Sequence, residues 1–248
     1  MVIVKTEKQI QAMRESGRIL RDFLVKVQDI LKPGITTKDI DRFAYRYIVS
    51  RGAKPSCLGY EGYPASICTS INEVVVHGIP DGTVLKDGDI IGVDLCVLYK
   101  GMHTDAARTF CIGNVSPEKR KLVEATQQAF FEGIKHLKAG SRVGDIGAAV
   151  QKYAESLGYG VVRDLQGHGV GCQIHEDPGI PNYGRAGTGE FLKEGMTIAV
   201  EPMLTIGTYE VYVSREDGWT VRTEDGEPSS HYENTMLITK DGVELLTL

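Results

Sequence analysis

Apolar and polar positions along this chain follow two rhythms, a helical one and a strand-like one, and each appears twice. Between Thr6 and Leu31, apolar residues recur as Ile10, Met13, Leu20, Leu24, Val27 and Leu31, the spacing of one helix face. Thr6 and Gln9 fit a capping box at its start, and Pro33-Gly34 ends it. A second long helix is predicted after Ser116, a good N-cap, with Pro117 at the first helical position, running to about Leu137. Shorter helices follow in each case, over 37–51 and 143–157, each closed by a glycine, Gly52 and Gly158. Strand patterns come next, over 65–76, 90–98 and 102–111, then over 160–166, 197–201, 204–213 and 231–239. Helices gathered before strands predict an α+β fold, with helices packed on one face of a largely antiparallel sheet.

The doubling extends to the residues themselves. LKDGDIIGVD at 85–94 returns as LKEGMTIAVE at 192–201, and LKPGITTKDI at 31–40 returns as LKAGSRVGDI at 137–146. Tyr47, Ser50 and Gly52 match Tyr153, Ser156 and Gly158 at the same offset as the second pair. Two stretches at nearly one offset argue for a duplication. With no linker or low-complexity segment between them, the halves (roughly 1–111 and 112–248) are expected to form a single domain with internal pseudo-two-fold symmetry.

Composition narrows the function classes. A chain of 248 residues with 42% hydrophobic and 25% charged residues has ordinary globular values. Its net charge of −5 argues against a direct nucleic-acid role. Five cysteines with no CxxC pair read as reduced thiols rather than a disulfide frame or zinc knuckle. The start lacks a signal-peptide pattern, and no apolar run approaches the ~20 residues of a membrane span, so no membrane association and a cytoplasmic location are expected.

The repeated phrase ends in an acid each time, Asp94 and Glu201, after a strand of Ile and Val. Burying an unpaired carboxylate there is costly, so the two acids call for a partner. Asp94 and Asp105 flank a hairpin turning at Tyr99-Lys100-Gly101. A two-residue loop at 99–100 would set them directly opposite, ~4.5–5.5 Å apart at Cβ; a three-residue loop ending in Gly101 would shift the pairing by one. Glu233 is the late-strand acid that answers Asp105. His168 lies in a Gly-His-Gly segment that allows close backbone approach. His77 and His175 each precede a Gly-Ile-Pro, at 78–80 and 179–181, and are suited to polarise a carbonyl or hold an oxyanion. His103 and His231, two residues before Asp105 and Glu233, are weaker candidates with a structural role favoured; His136 reads as an exposed helix residue. Four carboxylates and an imidazole suit Mn, Fe or Co better than a structural tetrahedral zinc, and four acids need two cations for charge balance. Two such ions clamp a water and a tetrahedral intermediate, so metal-assisted hydrolysis is the implied chemistry.

Asp94, Asp105, His168, Glu201 and Glu233, together with SINEVVVHGIP at 70–80, GHGVG at 167–171 and HEDP at 175–178, resemble bacterial type I methionine aminopeptidases over nearly the whole chain. The resemblance implies the pita-bread fold and two divalent ions (Co, Mn, Fe or Zn). Asp94 would bind one ion and His168 with Glu201 the other, Asp105 and Glu233 bridging. A bridging water or hydroxide would attack the carbonyl after an N-terminal methionine, with Glu201 as proton shuttle and His77 and His175 contacting substrate. The family likeness also places Cys57, Tyr60, Tyr63, Cys68 and Trp219 around the methionine side chain, where sulfur–aromatic contacts favour a thioether. It further implies a small second residue, N-termini of nascent polypeptides as partners, transient ribosome association and a monomer. Glu61, Ile174 and Cys172 depart from the family's usual histidine, aromatic and arginine or threonine, which bears on pocket shape and substrate preference. Two alternatives stand beside this: an Xaa-Pro peptidase of the same fold, which usually carries an extra N-terminal domain, and a non-catalytic peptide-binding relative, which typically loses ligands.

Overall fold

Residues 2–248 are described by a computed structural model. Its four long helices are α1 (Glu7–Lys26), α2 (Thr37–Ser50), α3 (Pro117–Ile134) and α4 (Val143–Ser156). The capping box at α1 forms as the spacing requires: Thr6 Oγ1 accepts from Gln9 N, and Gln9 Oε1 accepts from Thr6 N. Ser116 caps α3 by accepting from Lys119 N. The regular part of α1 stops short of Leu31 because the chain tightens into a 3-10 turn at Val27–Asp29, and α3 ends at Ile134, before Leu137. His136 is exposed, but in the turn beyond α3 rather than on the helix.

Strand Ile90–Tyr99 is central to the first half, pairing antiparallel with Met102–Cys111 on one side and with Cys68–Ile71 and Lys54–Pro55 on the other. In the second half Thr197–Val200 lies between Asn234–Ile238 and Gln166–Gly169 in a five-stranded antiparallel sheet. Several expected strands are shorter or broken. Span 65–76 divides into Cys68–Ile71 and Val74–Val76 because Asn72 takes a φ of 50°. Span 204–213 divides into Met203–Thr205 and Val211–Val213, 160–166 reduces to Gly160–Val161, and 231–239 becomes Ser229–His231 followed by Asn234–Ile238. Strand Glu176–Pro181, which pairs with Gln166–Gly169, was hidden in the sequence by its Pro and Gly content.

The 90s hairpin corrects both expected registers. Lys100 and Gly101 form the loop, with φ of 49° and 79°, so Tyr99 faces Met102, Asp94 faces Ala107 and Cys96 faces Asp105. The two positive φ values are those of a primed two-residue turn, which matches the strand twist. Asp94 and Asp105 are thus diagonal neighbours on one face rather than a direct pair.

Side-chain alternation then separates core from site. Ile91, Val93, Leu95 and Val97 point to a core with Leu20 and Phe23 of α1 and Ile40 and Ile48 of α2. Each such buried side chain contributes ~1.5–3 kcal/mol relative to exposure. In the second half Ile198, Val200, Met236 and Ile238 pack with Phe130 of α3 and Ile146 and Val150 of α4. The helices therefore occupy one face of the sheet, and Asp94, Asp105, Glu201 and Glu233 fall on the alternate positions. The half-sheets join where Thr235 Oγ1 accepts from Asp105 N and donates to Asp105 O, both at 2.8 Å, while Glu233 N donates to Ala107 O at 3.0 Å. No helix among the described residues is long and apolar enough to cross a membrane.

Candidate metal centre

The seam between the halves carries a cluster of acids. Donor atoms of Asp105, His168 and Glu233 lie within 4.8 Å of one another. His168 Nε2 is 3.6 Å from Glu201 Oε1 and 3.9 Å from Asp105 Oδ2. Asp94 lines the same cleft, a cavity of about 780 Å³ that also receives His77, His168, His175, Glu201 and Glu233. The five expected ligands, drawn from both halves, thus face one cavity. Asn182 Nδ2 donates to Glu201 O at 3.0 Å and fixes the backbone of that residue.

Electrostatics show why the cluster is unsatisfied by protein alone. Desolvation, and then the neighbouring acid Asp105, holds Asp94, Glu201 and Glu233 well above the usual carboxylate range. Asp105 is pushed from its ordinary 3.8 to about 7, with burial the largest cause. Asp105 Oδ1, Glu233 Oε1 and His231 Nε2 are buried with no hydrogen-bond partner. Arg108 lies beneath Glu233, but its guanidinium donates to the carbonyls of Ala107 and Glu233 and to Asn234 Oδ1, not to the carboxylate. Orphaned oxygen and imidazole donors among buried acids fit divalent cations, which supply the missing charge and partners together.

The imidazoles differ in their partners. His168 Nδ1 donates to Gly169 O at 2.9 Å, which leaves Nε2 as a lone pair directed at the acids. Burial lowers His168 to about 4, keeping the ring neutral. His175, exposed at the cleft mouth, has Nδ1 2.8 Å from the Tyr60 hydroxyl and its ring 4.3 Å from that of His168. His77 sits at a φ of 59°, edge-on to Trp219, and burial lowers its pKa. His231, weighed as structural in the sequence, lies in the cluster: Nε2 is 3.7 Å from Glu201 Oε2 and 3.9 Å from Glu233 Oε2. Its signal was the two-residue spacing from Glu233, which puts both on one face. His103 instead pairs Nδ1 with Ser56 Oγ at 2.9 Å.

A second cavity of about 330 Å³ opens beside Asp94 and Asp105, walled by Cys57, Tyr60, Tyr63, Cys68 and Trp219. Tyr63 packs edge-on against Trp219 at 5.1 Å, and its hydroxyl donates to Gly78 O and Ile67 O, so its ring is fixed. Glu61 and Ile174 border this cavity, whereas Cys172 faces away, accepting from Gln9 Nε2. Cys96 also lines it, with its thiol donating to Asp105 Oδ2. The sequence missed Cys96 because its place opposite Asp105 depends on the hairpin register. All five cysteines are free thiols.

Comparison with known proteins agrees with this geometry. Residues 11–240 match metallopeptidase family M24. The chain is 50% identical to a methionine aminopeptidase of Clostridium acetobutylicum over 249 aligned residues, covering 100% of this chain and 99% of that one. The crystal structure of methionine aminopeptidase from Rickettsia prowazekii superposes with a TM-score of 0.98 at 44% identity, over 100% of both chains. A prolidase from Pyrococcus furiosus shares the fold, with a TM-score of 0.80, but is 23% identical and is covered over 65% of its length. The chain belongs to metallopeptidase family M24 and, within it, to the methionine aminopeptidases.

Proposed function

We propose that this metal-dependent aminopeptidase removes the initiator methionine from the N-termini of nascent polypeptides, preferring a small second residue. The observation that carries the reading is the junction of two chemistries: buried, unsatisfied acids open directly onto a sulfur- and aromatic-lined cavity. The cavity suits a thioether side chain, because sulfur–aromatic contacts favour it and no charged group of the substrate is needed. The acids suit the free α-amine next to it.

Asp94, Asp105, His168, Glu201 and Glu233 would hold two divalent ions, which would supply Lewis acidity and lower the pKa of water there. Glu201 takes the proton from the attacking water and returns it to the leaving amine. The tautomer in which Tyr60 donates to His175 Nδ1 leaves a proton on Nε2, which donates to the scissile carbonyl as its oxygen gains charge. His77, which like His175 lines both cavities, supports the substrate. Because neither half supplies the full ligand set, the halves act as one catalytic domain.

The test is hydrolysis of Met-Ala-Ser, Met-Lys-Ser and Ala-Pro-Ser peptides by protein stripped of metal and then given Mn²⁺ or Co²⁺. Metal-dependent release of methionine from Met-Ala-Ser alone is expected. Cleavage confined to Ala-Pro-Ser would replace the proposal with an Xaa-Pro peptidase, and no cleavage with either ion would favour a peptide-binding protein.

A further inference from the structure

We propose that Lys5 is a positioning residue, whose buried ion pair with Glu176 holds the loop at 172–176 and thereby sets the reach of His175 into the cleft. The inference rests on the role of His175 argued above. Lys5 Nζ donates to Glu176 Oε2, and the two side chains are only 1% and 2% exposed. The other oxygen, Glu176 Oε1, accepts from Cys172 N at 2.5 Å and Gln173 N at 3.0 Å. One carboxylate therefore closes the loop on itself and ties it to the N-terminal segment. His175 is the residue immediately before it.

The lysine end of the tie is anchored independently of the loop. Lys5 N donates to Gly195 O at 2.8 Å, Val4 bridges to Met196, and Nζ also donates to Ile3 O at 3.2 Å. Gly195 and Met196 lead directly into the strand Thr197–Val200, which Glu201 follows. The pair thus ties the loop of His175 to the turn that leads into the strand preceding the proposed proton shuttle. Gly171 makes room for it: a Cβ there would stand 2.5 Å from Lys5 Cε, at a φ of 148° that side chains rarely adopt. The Gly171 carbonyl in turn accepts from His103 N at 2.7 Å. A buried ion pair adds little net stability compared with an apolar pair of similar volume, but losing one partner strands a charge. Its use here is geometric, because a misplacement of ~1 Å at a reacting group lowers rate by ~100-fold.

The experiment is a double-mutant cycle between Lys5 and His175 in the full chain loaded with Mn²⁺. Lys5→Met is expected to lower kcat on Met-Ala-Ser by roughly 10- to 100-fold, with KM changed less than about threefold and two Mn²⁺ per chain retained. Lys5→Arg is expected to restore most of that rate. In a His175→Ala background, Lys5→Met is expected to cause no further loss, which a general structural defect would not produce. Equal losses from Lys5→Met in both backgrounds, or an unchanged kcat in the parent, would overturn the proposal. Should Lys5→Met fail to fold, Glu176→Asp keeps both charges and shortens the tie by one methylene; the same coupling to His175 is expected, and additive effects would count against it. Full turnover by His175→Ala alone would instead remove the role given to His175, a separate failure.

Discussion

At the scale of single residues, the proposed function divides the centre into groups that hold charge and groups that move a proton. Glu201→Gln keeps the size and one oxygen donor but loses the base, so turnover should fall by ~10²–10⁴-fold while the thermal transition is retained. Steady-state kinetics beside circular dichroism checks this, and full activity would contradict the shuttle role. Tyr60→Phe removes the hydroxyl that sits 2.8 Å from His175 Nδ1 and should lower kcat/KM by about three- to tenfold, the scale of one net hydrogen bond. Asp94 and Glu201 were legible in the sequence because an acid closing an apolar strand is physically anomalous. His231 was legible only as a face assignment: nothing in the sequence says that its Nε2 is left unpartnered and buried. Cys96 was silent for the same reason, since its neighbour is decided across the sheet.

Among the elements, the helix starts were the clearest signals. Thr6 with Gln9 and Ser116 with Pro117 act within one turn, so their consequences need no tertiary context. Strands were less legible because their pairing is not local. The hairpin at Lys100-Gly101 illustrates this, as both expected registers missed by one or more residues and only the positive φ at Lys100 selects the observed one. The seam offers the sharpest test at this scale. Thr235→Val abolishes the reciprocal hydrogen bonds to Asp105 N and O, leaving two buried backbone groups unpaired. Stability should drop by ~1–3 kcal/mol per unsatisfied group in urea unfolding, and metal affinity should fall with it because Asp105 sits on that backbone. An unchanged midpoint together with unchanged metal binding would show that the seam is held elsewhere.

For the molecule as a whole, folding and metal loading oppose and then reinforce each other. Asp105 rises from 3.8 to about 7 on folding through burial, so between those values the metal-free native state keeps a proton that the unfolded chain has released. The unfolded state then binds fewer protons, and stability must fall as pH rises from about 4 to about 7. Metal reverses the sign by displacing those protons. Thermal scans in a chelator from pH 5 to 8 should show the decline, Mn²⁺ should remove it, and titration calorimetry in two buffers near pH 6 should register proton release on loading. A melting temperature independent of pH without metal would rule out this linkage. The acids that close the repeated phrase, Asp94 and Glu201, have different surroundings. Glu201 is bracketed by His168 and His231, at 3.6 and 3.7 Å, whereas its counterpart Asp94 stands across from Cys68 and beside the thiol-walled cavity. A peptide arriving at a truly symmetric centre would have two equivalent orientations. Under the proposed function one end would accept an apolar side chain and the other would handle protons, so the polypeptide would have a single direction in which to enter.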